Sequence, residues 1–166
     1  MTSSRRFIDG VGLDAAVATH ISPRSLADLP FDFVRYVQVE PRLRSAQWLT
    51  GDGPQAGAQA EVVAEIPYTV PLVRSLLGTP RALVTVIDWS PPDHASITFD
   101  GHRFEGWADI NLDERDRGCV VRIHGVVRAR SRLASLLLRP LEPQLGRLAT
   151  RAIARGVLRA SESLIV

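Results

Sequence analysis

The sequence predicts an α+β domain in which a series of antiparallel strands is closed by one long C-terminal helix. Three observations predict it. From about Ala56 to Arg130, apolar and polar residues alternate with the period of half-buried strands. After Arg130 the period lengthens to that of an amphipathic helix. Several strands carry small residues on one face: Ala58, Ala60 and Ala64, then Gly106 and Ala108, then Gly125 and Ala129. A face of that kind leaves space above the sheet, which the closing helix must cover.

The elements follow in order. Leu13 to Ile21 alternates as a first strand, with Ala15, Val17, Thr19 and Ile21 on one side. Ser22 is an N-cap residue and Pro23 suits the first helical position, so a short helix begins there. Pro30 interrupts it, and Phe31 to Val37 forms a second short helix ended by Pro41. Further strands are expected at Arg42 to Leu49, Ala56 to Ile66, Arg81 to Trp89, Ala95 to Phe99, Arg103 to Leu112 and Cys119 to Arg130. Asp100-Gly101 reads as a hairpin turn. Between Pro67 and Pro80 the pattern breaks, and Val70 to Leu77 is a candidate lid. Leu133, Leu136, Leu137 and Leu138 begin the final helix, which Pro140 and Pro143 must kink or restart. Leu145, Leu148, Ala149, Ala152, Ile153, Gly156 and Ala160 then form one apolar stripe.

Bulk properties narrow the class. The 166 residues, 45% hydrophobic and 23% charged, fit one globular domain spanning 1–166. The lone Cys119 forbids an internal disulfide and favours a reducing compartment, so a cytoplasmic location is expected. No apolar run reaches the roughly 18 residues of a transmembrane helix, and the N-terminal residues lack the apolar core of a signal peptide. All 20 basic residues are arginine, which fits codon bias in a GC-rich genome. Their placement is uneven: residues 1–117 hold 11 Arg against 16 acids, and residues 118–166 hold 9 Arg against 2 acids.

The order of elements, with Ile21-Ser22-Pro23 leading into the first helix, resembles the START-like (SRPBCC) superfamily. Pro91-Pro92-Asp93-His94, Gly106-Trp107-Ala108 and the strand through Gly125 are similar to its polyketide cyclase/dehydrase branch and to its carbon-monoxide-dehydrogenase G-subunit branch. The resemblance implies a helix-grip fold: a seven-stranded antiparallel sheet curled around a long C-terminal helix, with two short helices after strand 1. It also implies an apolar cavity between sheet and helix, used in the superfamily for lipids, sterols or polyketides and in some members for catalysis.

Strand parity puts Phe104, Gly106, Ala108, Ile110 and Leu112 on the inward side, with Cys119, Val121, Ile123, Gly125, Val127 and Ala129 in the next strand. Arg122, His124, Arg128 and Arg130 point outward. The residues expected to contact a ligand are Val62, Ala64, Tyr68, Trp89, Phe104, Ala108, Ile123, Gly125, Leu148 and Ala152. Tyr68 belongs to the lid segment, and Trp89 is expected to end a strand beside it. A filled core is the competing reading of the same pattern.

Three functions are open at this level. The first is binding or carriage of a small hydrophobic molecule. The second is a cyclase/dehydrase-type enzyme using His94, His102, Tyr68 or Arg103 for proton transfer. The third is an interaction module presenting Arg147, Arg151, Arg155 and Arg159, spaced by four along the last helix, with Arg122, Arg128, Arg130 and Arg132 nearby. No residue set has metal-ligand spacing, and no phosphate loop or nucleophile elbow occurs, so no cofactor is expected. The arginine ridge lacks the interleaved aromatics of a single-strand binder, so no specific nucleic-acid partner is expected either. The sequence leaves the ligand's identity and the oligomeric state open.

Overall fold

The computed structural model describes residues 9–26, 32–64 and 80–164. Its strands are β1 (Val11–Thr19), β2 (Leu43–Thr50), β3 (Gln59–Ala64), β4 (Arg81–Ser90), β5 (His94–Gly101), β6 (Phe104–Arg115) and β7 (Gly118–Ala129). They form one seven-stranded sheet in the order β1-β7-β6-β5-β4-β3-β2, and every neighbouring pair is antiparallel. Residues 23–26 are helical, followed by α1 (Phe33–Tyr36). After the sheet come α2 (Arg132–Leu138), a 3-10 turn (Arg139–Leu141) and α3 (Glu142–Ser163). The predicted seven-stranded sheet with its long closing helix is present. The candidate lid at Val70–Leu77 lies outside the described residues.

Local chemistry explains the element ends. The Ser22 hydroxyl accepts from the Ser25 amide at 3.3 Å, as expected of an N-cap. Asp32 caps α1 by accepting from the Arg35 amide at 3.3 Å. Ser131 caps α2 through the Ala134 amide at 3.4 Å. Pro140 and Pro143, which lack the amide a continuing helix needs, divide the C-terminal segment into its three pieces.

One turn differs from expectation. Asp100 and Gly101 are paired strand residues, opposite Leu83 and Ala82, and the connection is His102-Arg103. Gly101 has no positive φ. Its missing side chain is used for packing: a Cβ there would lie 2.7 Å from the Phe104 ring. The glycine that signals a turn in the sequence instead receives an aromatic ring.

The core lies on the sheet face toward α3. Val17, Val86, Leu112, Cys119 and Val121 are buried there, with Ala58 and Ala60, beneath Leu26 and α3's Val157 and Ala160. Phe33 of α1 packs on Trp48 of β2, ring centroids 5.7 Å apart. The Trp48 indole donates to Asp32 at 3.4 Å, tying α1 to that edge of the sheet. Alternation persists across β1, where Leu13, Ala15, Val17 and Thr19 are buried and Asp14, Ala16 and Ala18 are exposed.

Candidate functional site

Burial under α3 is graded along the strands. One end is packed solid: by register Val17 faces Val121, which faces Leu112, and these three are 7%, 0% and 3% exposed. Towards the other end, Phe99, Phe104, Val127 and Ala129 are inward by parity yet remain partly exposed. Register joins them, since Gly106 pairs with both Phe99 and Val127, and Phe104 pairs with Ala129. On α3, Leu145, Ala149, Ala152 and Ile153 are also partly exposed, whereas Gly156, Val157, Ala160 and Ser161 near its C-terminus are buried. The inner face is thus closed at one end and incompletely covered at the other.

Part of the space expected above the small residues is filled by the sheet's own rings. A Cβ on Gly106 would come 2.1 Å from the Phe99 ring, so that ring occupies the place of a side chain. Gly125 has a different cause: its Cβ would lie 2.3 Å from the Trp107 carbonyl, a backbone approach across the β6–β7 ladder. These glycines therefore shape the curved sheet more than they enlarge a hollow. Phe99, Phe104 and Val127 stay partly exposed on the inner face.

The expected ligand contacts distribute accordingly. Val62, Ala108, Ile123 and Gly125 are buried on the inner face, and Ala64, Phe104 and Ala152 are partly exposed. Trp89 packs against the core opposite Ala95. It stands near the end of β4 opposite to Arg81; the lid segment expected beside it lies outside the described residues. Leu148 is 46% exposed, since it lies on the flank of the α3 stripe. Tyr68 lies outside the described residues.

The described acid-base candidates do not converge. His94 opens β5 on the outer face, because its neighbour Ala95 is buried inward. Its Nδ1 lies 2.9 Å from Asn111 Oδ1 and its Nε2 lies 3.1 Å from Ser96 Oγ. The Ser96 hydroxyl donates to Asp109 at 2.5 Å. The single hydroxyl proton of Ser96 goes to Asp109 and not to His94, so His94 does not stand to Ser96 as a base does to a nucleophile. His102 and Arg103 are exposed in the β5–β6 connection. On the inner face Thr19 and Cys119 contact each other at 3.6 Å. Among the described residues, no group of His, Cys, Asp and Glu has the arrangement to hold a metal ion.

A polar cluster under α3 escaped sequence reasoning. Glu40, 6% exposed, accepts from Arg159 Nη1 at 3.3 Å and from the Arg42 amide at 3.2 Å. Gly156 makes room for it: a Cβ there would lie 2.2 Å from the Tyr36 hydroxyl and 2.9 Å from a Glu40 oxygen. Burial pushes the Tyr36 phenol up to about 12, the Glu40 carboxylate adds to the rise, and Arg159 and Arg42 oppose it. The sequence signal at this place is Gly156, a residue of low helix propensity inside α3.

The positive ridge divides by role. Arg159 belongs to the Glu40 pair, and Arg147, Arg151 and Arg155 are exposed. Cross-strand acids hold three of the outer arginines: Arg122 to Asp113 at 2.6 Å, Arg128 to Glu105 at 2.7 Å, and Arg130 to Asp100. Arg147 and Arg151 line a groove of about 610 Å³ with Asp14, Glu142 and Thr150. A second groove, about 820 Å³, runs beside α2 between Arg128, Arg130, Arg132, Arg139, Glu105 and Glu142.

No protein-family model and no curated protein matches the sequence. Solved structures resemble its fold. A protein of Thermus thermophilus superposes with a TM-score of 0.72 at 14% identity, covering 92% of this chain and 97% of that one. A START superfamily protein of Mycobacterium smegmatis gives 0.64 at 13%, covering 90% and 99%. Ara h 8.0201 gives 0.63 at 13%, covering 93% and 97%. At these identities the likeness is one of architecture. With the strand order and the closing helix described above, it gives this chain the START-like (SRPBCC) helix-grip fold.

Proposed function

We propose that this chain binds a small hydrophobic molecule, lipid- or polyketide-like, between the sheet and α3. The observation that carries the reading is the graded burial of the inner face: apolar side chains are covered at the Val121 end and left partly exposed at the Phe104 end. Phe99, Phe104 and Val127 on the sheet and Leu145, Ala149 and Ile153 on α3 are the partly exposed apolar side chains this reading assigns to the ligand, with the buried Ala108 and Ile123. A wall of this kind binds by area removed from water, at roughly 25 cal/mol per Å², and selects by shape.

The test is displacement of an environment-sensitive apolar dye, with native mass spectrometry of the purified protein. The dye binds with a blue-shifted emission, a long-chain fatty acid competes it off, and Ala149→Trp lowers its affinity by about tenfold or more. Absence of dye binding, together with absence of any retained small molecule, refutes the reading. So does binding that Ala149→Trp leaves unchanged. For the cyclase alternative, His94 stands on the outer face, His102 and Arg103 are exposed in the β5–β6 connection next to Phe104, and Tyr68 lies outside the described residues.

A further inference from the structure

Helix α2 presents its leucines to solvent. Leu133 is 66% exposed, Leu136 65% and Leu137 44%, while Ala134 and Leu138 bury the opposite side. At 100° per residue the three exposed leucines form one continuous face, with Arg132 and Arg139 adjoining Leu136 at its edge. Both arginines are exposed and make no ion pair among the described residues. They also line the groove of about 820 Å³ that separates α2 from the ends of β1 and β7. Large leucines held outward on an anchored helix have no role in this chain's own core.

We propose that this face docks on an anionic membrane surface, the leucines entering the acyl boundary and Arg132 and Arg139 meeting the headgroups. Charge complementarity chooses the partner. Of the nine arginines in residues 118–166, Arg122, Arg128, Arg130 and Arg159 are paired with acids, so the positive charge at this face is that of the exposed Arg132 and Arg139. A second copy packed on the same face by two-fold symmetry brings both pairs of arginines together, which opposes association. Leu133 and Leu137 lie outside that groove and Leu136 lines it, and all three are open to solvent, as on an interfacial helix. The Ser135 hydroxyl donates to the Ala129 carbonyl at 3.1 Å, fixing α2 to the end of β7 where the inner face is incompletely covered. The docking face itself requires no ligand in the hollow.

The experiment is cosedimentation of the full chain with vesicles of phosphatidylcholine and phosphatidylserine, against vesicles of phosphatidylcholine alone. The protein pellets with the anionic vesicles, and added salt weakens the binding. Replacing Leu133, Leu136 and Leu137 by Ser abolishes it, at roughly tenfold for each leucine. Arg132→Ser and Arg139→Ser each reduce it by roughly fivefold. Thermal melting checks that the variants fold, and the two arginine variants carry the test should the leucine variant not fold. The inference is overturned if the wild-type chain stays in the supernatant. Equal binding by the leucine variant or by the two arginine variants overturns it too. Leucine-dependent dimerisation in sedimentation velocity without vesicle binding also overturns it, assigning the face to a second copy.

Discussion

Arg159 and Glu40 are 119 residues apart in sequence and 3.3 Å apart in space, joining the last helix to the segment that follows α1. The two partners are unequally buried: the Glu40 side chain is 8% exposed and that of Arg159 is 38%. Removing the arginine strands a buried carboxylate, so Arg159→Ala destabilises by about 2 kcal/mol, below the range for fully buried pairs because water reaches Arg159. Glu40→Gln keeps the shape and costs about 1 kcal/mol. Urea unfolding measures both. A loss below about 0.5 kcal/mol for Arg159→Ala removes the pair from the account of stability.

Tyr36, beside this pair, makes stability depend on alkaline pH. Its phenol rises from 10.0 in the unfolded chain to about 12 in the fold. Between those values the folded state binds more protons than the unfolded state. This contribution is therefore complete below pH 10 and is lost as pH rises from there through about 12, with a slope approaching 1.4 kcal/mol per unit. Tyr36→Phe abolishes that part of the decline. Unfolding free energies of both proteins, measured between about pH 9 and pH 11, settle it: parallel curves refute the prediction.

The two inner glycines fail differently when substituted. Gly106→Ala drives a methyl into the Phe99 ring and costs about 2 kcal/mol. Phe99→Leu in the same chain recovers the part of that loss due to the ring, while the Val126 carbonyl, 2.7 Å from the added methyl, keeps the rest. Gly125→Ala meets the Trp107 carbonyl and the Ala108 backbone, so no single side-chain substitution relieves it. Thermal denaturation of the singles and the double variant distinguishes the cases, and a double variant no more stable than Gly106→Ala contradicts the assignment.

These glycines also mark where the sequence stopped being legible. Strand positions could be read because alternation is local: Val17, Val121 and Ile123 are buried, and Arg122 and His124 exposed, as parity predicts. The helix breaks at Pro140 and Pro143 could be read because proline acts on its own turn. Register is not local. That Phe99 lies over Gly106, or Ser96 beside Asp109, depends on which strand residues pair. Trp107 shows the same limit: it points outward by parity, yet is 8% exposed and lies edge-on to His124, ring centroids 5.5 Å apart. The Glu40–Arg159 pair is the extreme case, since nothing near either residue names the other.

Cys119 is expected to be silent toward thiol reagents in the native state. It is 1% exposed, in contact with Thr19 Oγ1, within the solidly packed end. A disulfide reagent therefore labels it only as the protein opens, at the rate of unfolding. Fast labelling of the folded protein contradicts the packing described for that end.

One border of the sheet is covered by a helix. β1 has β7 on one side only, and on its other side the Asp14 amide donates to the Thr150 hydroxyl of α3 at 3.4 Å. A helix laid along that border occupies the place where a foreign strand would add. Loss of α3 would leave β1 as an uncovered template, and intermolecular strand addition, ending in aggregation, is the failure this architecture holds off.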